Sequence, residues 1–175
     1  VEAGKIRSVG VSNLGVERMW RAHAALEKRG LPLAANQVHY SLLQRGIESN
    51  GVLDAARDLG ITIIAWQPLG AGILTGKFHK DPDRLKQAPF VRRMMLQREL
   101  ERSQPLIEVL DQIAAEYKVT LAQIALNWLV NFQGETVVAI PGASKAQQAR
   151  ESAGAMAFRL SDEEMARIDE VSRAL

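Results

Sequence analysis

Four short apolar runs in this chain each stop at residues that can hold a ligand. The first, Lys5-Ile6-Arg7-Ser8-Val9-Gly10-Val11, ends in Ser12 and Asn13. The second carries Ala35-Asn36-Gln37-Val38 and the third, Ile61 to Ala65, ends in Trp66-Gln67-Pro68. The fourth, Thr136 to Ile140, runs into Pro141-Gly142-Ala143-Ser144. Carboxamides offer both a donor and an acceptor, so Asn13 and Gln37 on neighbouring strands suit a second carboxamide held by reciprocal hydrogen bonds. Trp66 offers a flat apolar face for a planar ring. Gly70 and Gly72 let backbone amides approach a diphosphate. Ser144 and Lys145 stand at the start of a helix, where an anion is favoured. Each residue alone has a plainer reading: Trp66 as core, Asn13 as a helix cap, the glycines as a turn. Their recurrence at successive strand ends argues for a site.

Other chemistries are thinly represented. The three histidines, His23, His39 and His79, are far apart and form no metal-binding spacing. His39 sits just past a strand end, where it could approach a ligand; the plainer expectation is that it faces solvent or packs beside Tyr40. No cysteine is present, which removes disulfides, thiolate nucleophiles and Cys-ligated metals. Ser12 and Ser144 lie outside any Gly-x-Ser-x-Gly elbow. Gly70-Ala71-Gly72 lacks the third glycine of a Rossmann fingerprint, and there is no Walker loop.

Periodicity supplies the elements that would position these residues. Val16, Met19, Trp20, Ala24 and Leu26 recur at helical spacing until Gly30. Asn50-Gly51 could mark a hairpin, but Val52, Leu53, Ala56 and Leu59 follow with helical spacing. Ile61 to Trp66 is apolar on both faces, as a doubly buried parallel strand requires. Pro68 to Arg102 reads as one long irregular, basic stretch interrupted by Pro82 and Pro89, with Arg84, Lys86 and Arg92 among its cations. Ser103 is expected to cap a helix with Pro105 in its first turn. Thr120 to Gln123 and Ser161 to Glu164 read as capping boxes of two further helices. Strand and helix alternate throughout, which predicts an α/β fold with a parallel sheet. In a barrel of that kind ligand-binding residues collect at the carboxyl ends of the strands. The chain has 175 residues, one domain's worth, and a net charge of +2, too small to argue for nucleic acid or membrane partners. The lack of cysteine agrees with a cytoplasmic location. The first strand begins almost at Val1, so the chain reads as the second half of a larger enzyme.

Together these strings resemble the aldo-keto reductase family. Gly4 to Asn13 is similar to that family's fifth strand and Asn36-Gln37-Val38-His39-Tyr40-Ser41-Leu42-Leu43 to its sixth. Ala65 to Lys77 is similar to the seventh strand and its loop, and Ile140 to Ser144 with the following helix to the eighth. The Leu-Thr-Gly-Lys string and the Pro-Gly-Ala-Ser turn most resemble the branch with potassium-channel β subunits and bacterial relatives. The resemblance implies a (β/α)8 TIM-barrel fold. Residues 1–175 would supply strands five to eight with their helices, the C-terminal half of a single barrel domain. It implies an NADPH-dependent aldehyde and ketone oxidoreductase. Ser12, Asn13 and Gln37 would hold the nicotinamide carboxamide, and Trp66, where many members carry Tyr, would stack on the ring. Gln67, Leu69, Gly70, Gly72 and Lys77 would strap the pyrophosphate. Ser144, Lys145 and Gln148 would meet the adenosine 2′-phosphate, and Glu151 the adenine. Pro68, Pro141, Gly142 and Ser152 complete the cofactor-binding set for NADP(H). Gln148 stands where many members have Arg, and Ser152 where many have Asn. The family's catalytic Asp, Tyr, Lys and His come from its first four strands, so no residue here is assigned a catalytic role, and the chain alone is expected to be inactive. The expected partners are a small carbonyl substrate and the N-terminal half of the barrel, with self-association through open sheet edges as a further expectation. A non-catalytic dinucleotide-binding or regulatory half-barrel is the alternative.

Overall fold

The computed structural model describes residues 1–81, 83 and 90–175, without the side chains of residues 90–92 and 95. Four strands form one parallel sheet in chain order: β1 (Val9–Ser12), β2 (Leu33–His39), β3 (Thr62–Trp66) and β4 (Val137–Ala139). Helix α1 (Val16–Glu27) joins β1 to β2, and α2 (Val52–Asp58) joins β2 to β3, so Asn50-Gly51 starts a helix rather than a hairpin. The connection from β3 to β4 holds a 3-10 segment (Gly70–Thr75), α3 (Lys77–Lys80), α4 (Phe90–Tyr117) and α5 (Leu121–Asn131). Helices α6 (Ala146–Gly154) and α7 (Asp162–Arg173) follow β4.

The stretch expected to be irregular is therefore largely helical. Of its residues, Pro82, Arg84, Lys86 and Pro89 lie outside the described residues, as does the side chain of Arg92. Pro105 lies inside α4, not in a first turn. Pro105 removes one backbone donor and leaves the carbonyl four residues earlier without its partner. Both Pro105 and Glu101 lie on the exposed side of the helix. Ser103 caps nothing: it is buried, and its hydroxyl donates to Leu100 O at 3.3 Å. The two capping boxes are present, Thr120 with Gln123 and Ser161 with Glu164.

Side chains alternate across the sheet. Asn36, Val38, Tyr40, Ile61, Ile63, Ala65 and Val137 are buried. They face the helical layer, whose core includes Met19, Leu53, Leu110, Ile124, Trp128 and Ile168. The opposite face carries Ser12, Gln37, Ile64 and Val138, aligned across all four strands by register. Gln37 and Ile64 are only half-buried, and Val138 and Ile140 are 45% and 46% exposed. The apolar pattern of β3 predicts burial on both sides, yet only one face has helical cover.

A charged cluster locks the turn after β2 to the terminal helix. The Tyr40 hydroxyl donates to Glu48 at 2.6 Å and accepts from Gln133 at 3.2 Å. Arg45 bonds Glu48 at 2.7 Å and Asp169 at 2.5 Å, and its guanidinium lies 4.8 Å from the Trp128 ring centre. Ser172 donates to Leu42 O at 2.6 Å. Burial pushes the Tyr40 phenol well above its ordinary value, helped by its bond to Glu48. Burial would raise the Asp169 carboxyl, but hydrogen bonds from Arg173 and Arg45 outweigh it and hold the group below 3.8. A depressed carboxyl stabilises the fold above its unfolded value and loses that contribution as pH falls through the folded one. Asp169→Asn should therefore cost about 1–3 kcal/mol at pH 6. The gap between variant and parent should close toward pH 3, as urea denaturation at both pH values will measure; an equal gap at both would contradict this.

Candidate functional site

The carboxyl ends of β1, β2 and β3 form a connected platform. Asn13 adopts a left-handed backbone (φ 54°), and its N–H donates to Gln37 O at 2.8 Å. The Ser12 hydroxyl donates to the same carbonyl at 3.1 Å. Buried Asn36 works from the helical face: its amide nitrogen donates to Leu14 O at 2.9 Å, and its oxygen accepts from Leu14 N at 3.4 Å. The strand-to-helix turn after β1 is thus fixed to β2 from both faces. The Trp66 indole N–H donates to Asn13 Oδ1 at 3.1 Å, joining β3 to β1. The ring of His39 stacks on that indole at 4.3 Å and 14°, so His39 packs against Trp66 rather than pointing to solvent or packing beside Tyr40. Burial lowers the His39 imidazole from its ordinary value, disfavouring the protonated ring.

Beyond Trp66 the chain forms a tight strap. Gln67 and Ala71 have positive φ (52° and 54°), which non-glycine residues adopt at a cost in strain. Gly70 also has positive φ, and a Cβ there would lie 2.7 Å from Leu43 Cδ1. The N–H groups of Gly70 and Gly72 donate to Gln67 O and Leu69 O at 2.9 and 3.0 Å. These two amides are therefore engaged within the turn, and the expectation that the glycines free amides for a diphosphate fails for them. Gly72 serves a different contact: a Cβ there would come within 3.0 Å of Lys77 Nζ. Its bare backbone lets the lysine lie across the strap. Thr75 secures the curl, donating to Gly72 O at 2.7 Å.

One cleft of about 510 Å³ opens between this strap and α6. On the strap side it is lined by Gln67, Pro68, Leu69, Gly72 and Lys77, all singled out from sequence, together with Thr75. Across from them stand Pro141, Gly142, Gln148, Glu151 and Ser152, with Ala122 from α5 at one side. The cleft lining holds one cation, Lys77, and one carboxylate, Glu151. Ser144 and Lys145 lie beside it at the start of α6 and are exposed. The Gln148 side-chain oxygen accepts from Ser144 N at 2.8 Å, from Ser144 Oγ at 3.1 Å and from Lys145 N at 3.1 Å. Gln148 thus closes the helix start, with its oxygen on donors an anion would use, and Glu151 accepts from Gln147 at 3.0 Å.

The structure therefore brings the sequence-predicted residues together in three groups. Ser12, Asn13, Gln37 and Trp66 form the platform, the strap residues and the turn after β4 face one another across the cleft, and Ser144, Lys145 and Gln148 form one cap. Gly70 lies apart, lining the neighbouring cavity. Sequence reasoning does not single out Thr75 or Ala122 as lining the site. Thr75 carries a signal, since its hydroxyl precedes the Gly76 break; the position of Ala122 depends on how α5 packs. His79 makes contacts at 3.2 Å with Leu100 O and Ser103 Oγ. Among the described residues no cluster of metal-ligating side chains occurs and no helix is long and apolar enough to cross a membrane.

Comparison with known proteins gives this arrangement a family. The chain is 33% identical over 168 residues to a chloroplastic pyridoxal reductase of Arabidopsis thaliana, covering 96% of this chain and 44% of that protein. It is 36% identical over 166 residues to the aldo-keto reductase yakc [NADP(+)] of Schizosaccharomyces pombe, covering 93% and 47%. A crystal structure of the thermostable aldo-keto reductase Tm1743, in complex with the inhibitor epalrestat, superposes with a TM-score of 0.71 at 29% identity. That match covers 98% of this chain and 50% of that one. The chain spans about half the length of the curated relatives it matches. The family model for aldo/keto reductases matches residues 1–173, and the chain belongs to the aldo/keto reductase family.

Proposed function

We propose that this chain is the dinucleotide-holding half of an NADPH-dependent aldehyde and ketone reductase, supplying strands five to eight of a (β/α)8 barrel. The observation that carries this reading is the cleft beside the strand ends, with Lys77 lying over Gly72 on one wall and Gln148 and Glu151 on the other. A cation over a bare backbone suits a diphosphate. The Trp66 platform adjoins it in the chain, as a dinucleotide with a planar ring at its far end requires. When bound, the cofactor supplies the hydride. The residues of this chain hold and orient it: Asn13 and Gln37 offer amides to the carboxamide, Trp66 carries the ring, Lys77 neutralises the diphosphate, and Lys145 faces the 2′-phosphate. The proton donor for the carbonyl oxygen lies outside this set, and the uncovered sheet face supports a reading in which the rest of the barrel supplies it.

A cationic side chain facing a phosphate is worth about tenfold or more in affinity. Lys145→Ala should accordingly weaken 2′,5′-ADP binding by about tenfold and leave 5′-AMP nearly unchanged. Calorimetric titration that finds both ligands equally affected, or bound equally by the parent, would refute this assignment. The purified chain should not reduce 4-nitrobenzaldehyde with NADPH, because a missing general acid alone costs about 10²–10⁴ in rate; robust NADPH oxidation would count against the proposal. Strands β1 and β4 end the sheet, and Ile6, Val138 and Ile140 are exposed around them. Open parallel edges invite pairing, so the chain should self-associate in sedimentation or bind the complementary half of the barrel. A monodisperse, sharply melting monomer indifferent to that half would contradict this.

A further inference from the structure

Adjacent strands lie about 4.8 Å apart, so β1 and β3 are separated by roughly 10 Å with β2 between them. The Trp66 indole nevertheless reaches Asn13, with 3.1 Å between Nε1 and Oδ1. The ring must therefore cross the end of β2, and the residue it meets there is His39, the register partner of Trp66. The two rings are nearly parallel at 4.3 Å. Among the described residues no hydrogen bond holds the imidazole, so the stack is its principal contact on this side. On the other side His39 lines a second cavity of about 450 Å³, walled by Leu43, Ile73 and Leu96 and separated from the cofactor cleft by the strap from Gln67 to Ala71.

We propose that His39 is a positioning residue for the dinucleotide: its imidazole props the Trp66 indole from β2 and fixes the plane on which the cofactor's planar ring stacks. This rests on the proposed binding of a dinucleotide at the strand ends. Asn13 pins the indole at one edge only, which leaves the ring free to tilt about that bond. A flat partner beneath removes the tilt. An aliphatic side chain would fill the same space without enforcing a plane, because only ring-on-ring contact favours parallel orientation at this distance. The charged groups that share the cavity with His39 are Glu99 and Arg102 of α4, which pair with each other at 3.0 Å. The facing residues of β1 and β3, Ser12, Asn13 and Gln67, are neutral. Acidification therefore places a new positive charge directly on the indole face, and a protonated imidazole quenches indole emission.

The test uses indole emission between pH 5 and 8 and NADPH titration, with Trp66→Phe as the blank for Trp20 and Trp128. The parent should lose emission from Trp66 toward the acid end of that range, since burial lowers the imidazole from its ordinary value. His39→Phe, which keeps a flat ring but cannot titrate, should abolish that step and bind NADPH within about twofold of the parent. His39→Ala should abolish the step and weaken NADPH by about three- to tenfold. The inference is overturned if the acid step survives in His39→Ala, if His39→Ala binds NADPH like the parent, or if His39→Phe fails to restore binding. A parent that binds no NADPH while the acid step tracks His39 refutes the dinucleotide reading and leaves the stack established; absence of both refutes the two together.

Discussion

Parallel strands need cover on both faces, because the crossovers that connect them carry helices and the strands themselves are apolar. In this chain one face is sealed by helices and the other is not, and most of what is distinctive follows from that asymmetry. The sealed face contains the core, from Met19 to Ile168, and even its polar members are satisfied: Asn36 is wholly buried and bonded twice to Leu14. The open face carries Ser12, Gln37, Ile64 and Val138 in one row across the four strands, with His39 and Trp66 in the next row toward the carboxyl ends. The candidate rim and the apolar surface that a barrel would enclose are thus the same face, polar on β1 and β2 and apolar on β3 and β4. A dinucleotide laid on the rim would rest partly on whatever fills the interior beneath it.

The platform and the cleft differ in how they hold their polar groups. At the platform, Trp66 already satisfies the Asn13 side-chain oxygen; at the start of α6, Gln148 already satisfies three donors. Both are bonds a ligand must exchange rather than simply add, so the net gain per contact is smaller than the number of contacts suggests. Lys77 differs: its ammonium lies over Gly72 and is the one cation in the cleft lining, with the carboxylate of Glu151 on the opposite wall bonded to Gln147. Electrostatic attraction at the middle of the site and exchange at its two ends would make the diphosphate the anchor of any dinucleotide bound here.

Most of the architecture was legible in the sequence because it follows from local signals. The strand ends at Asn13, Gln37 and Trp66, the helix after Asn50-Gly51, and both capping boxes come from periodicity and short polar signatures that act over four or five residues. The long β3-to-β4 connection departs from its local sequence signals for a physical reason. Its prolines and glycines are strong local breakers, but the 28 residues of α4 are held by packing of Leu106, Leu110 and Ile113 into the core, which overrides the local signal at Pro105. The single-sided burial of β3 was equally hidden, since an apolar strand reads the same whether its second face is covered or waiting for cover. His39 shows a third limit: its stack on Trp66 depends on strand register and on a side chain crossing a neighbouring strand, neither of which leaves a mark in residue spacing.

The fastening of the last helix bears on how sequence variation in this chain will look from outside. Arg45, Glu48, Asp169 and Ser172 clamp the turn that leaves β2 onto α7, and that turn begins one residue after His39. A clerical view of the molecule would file these residues under fold maintenance. Their loss would lower stability and also free the turn that leaves β2, next to the rim. In a survey of many variants scored only for ligand retention, changes near residue 170 would therefore fall in the same class as changes at Gln37. Two positions more than a hundred residues apart would look like one functional unit because they share a single mechanical joint.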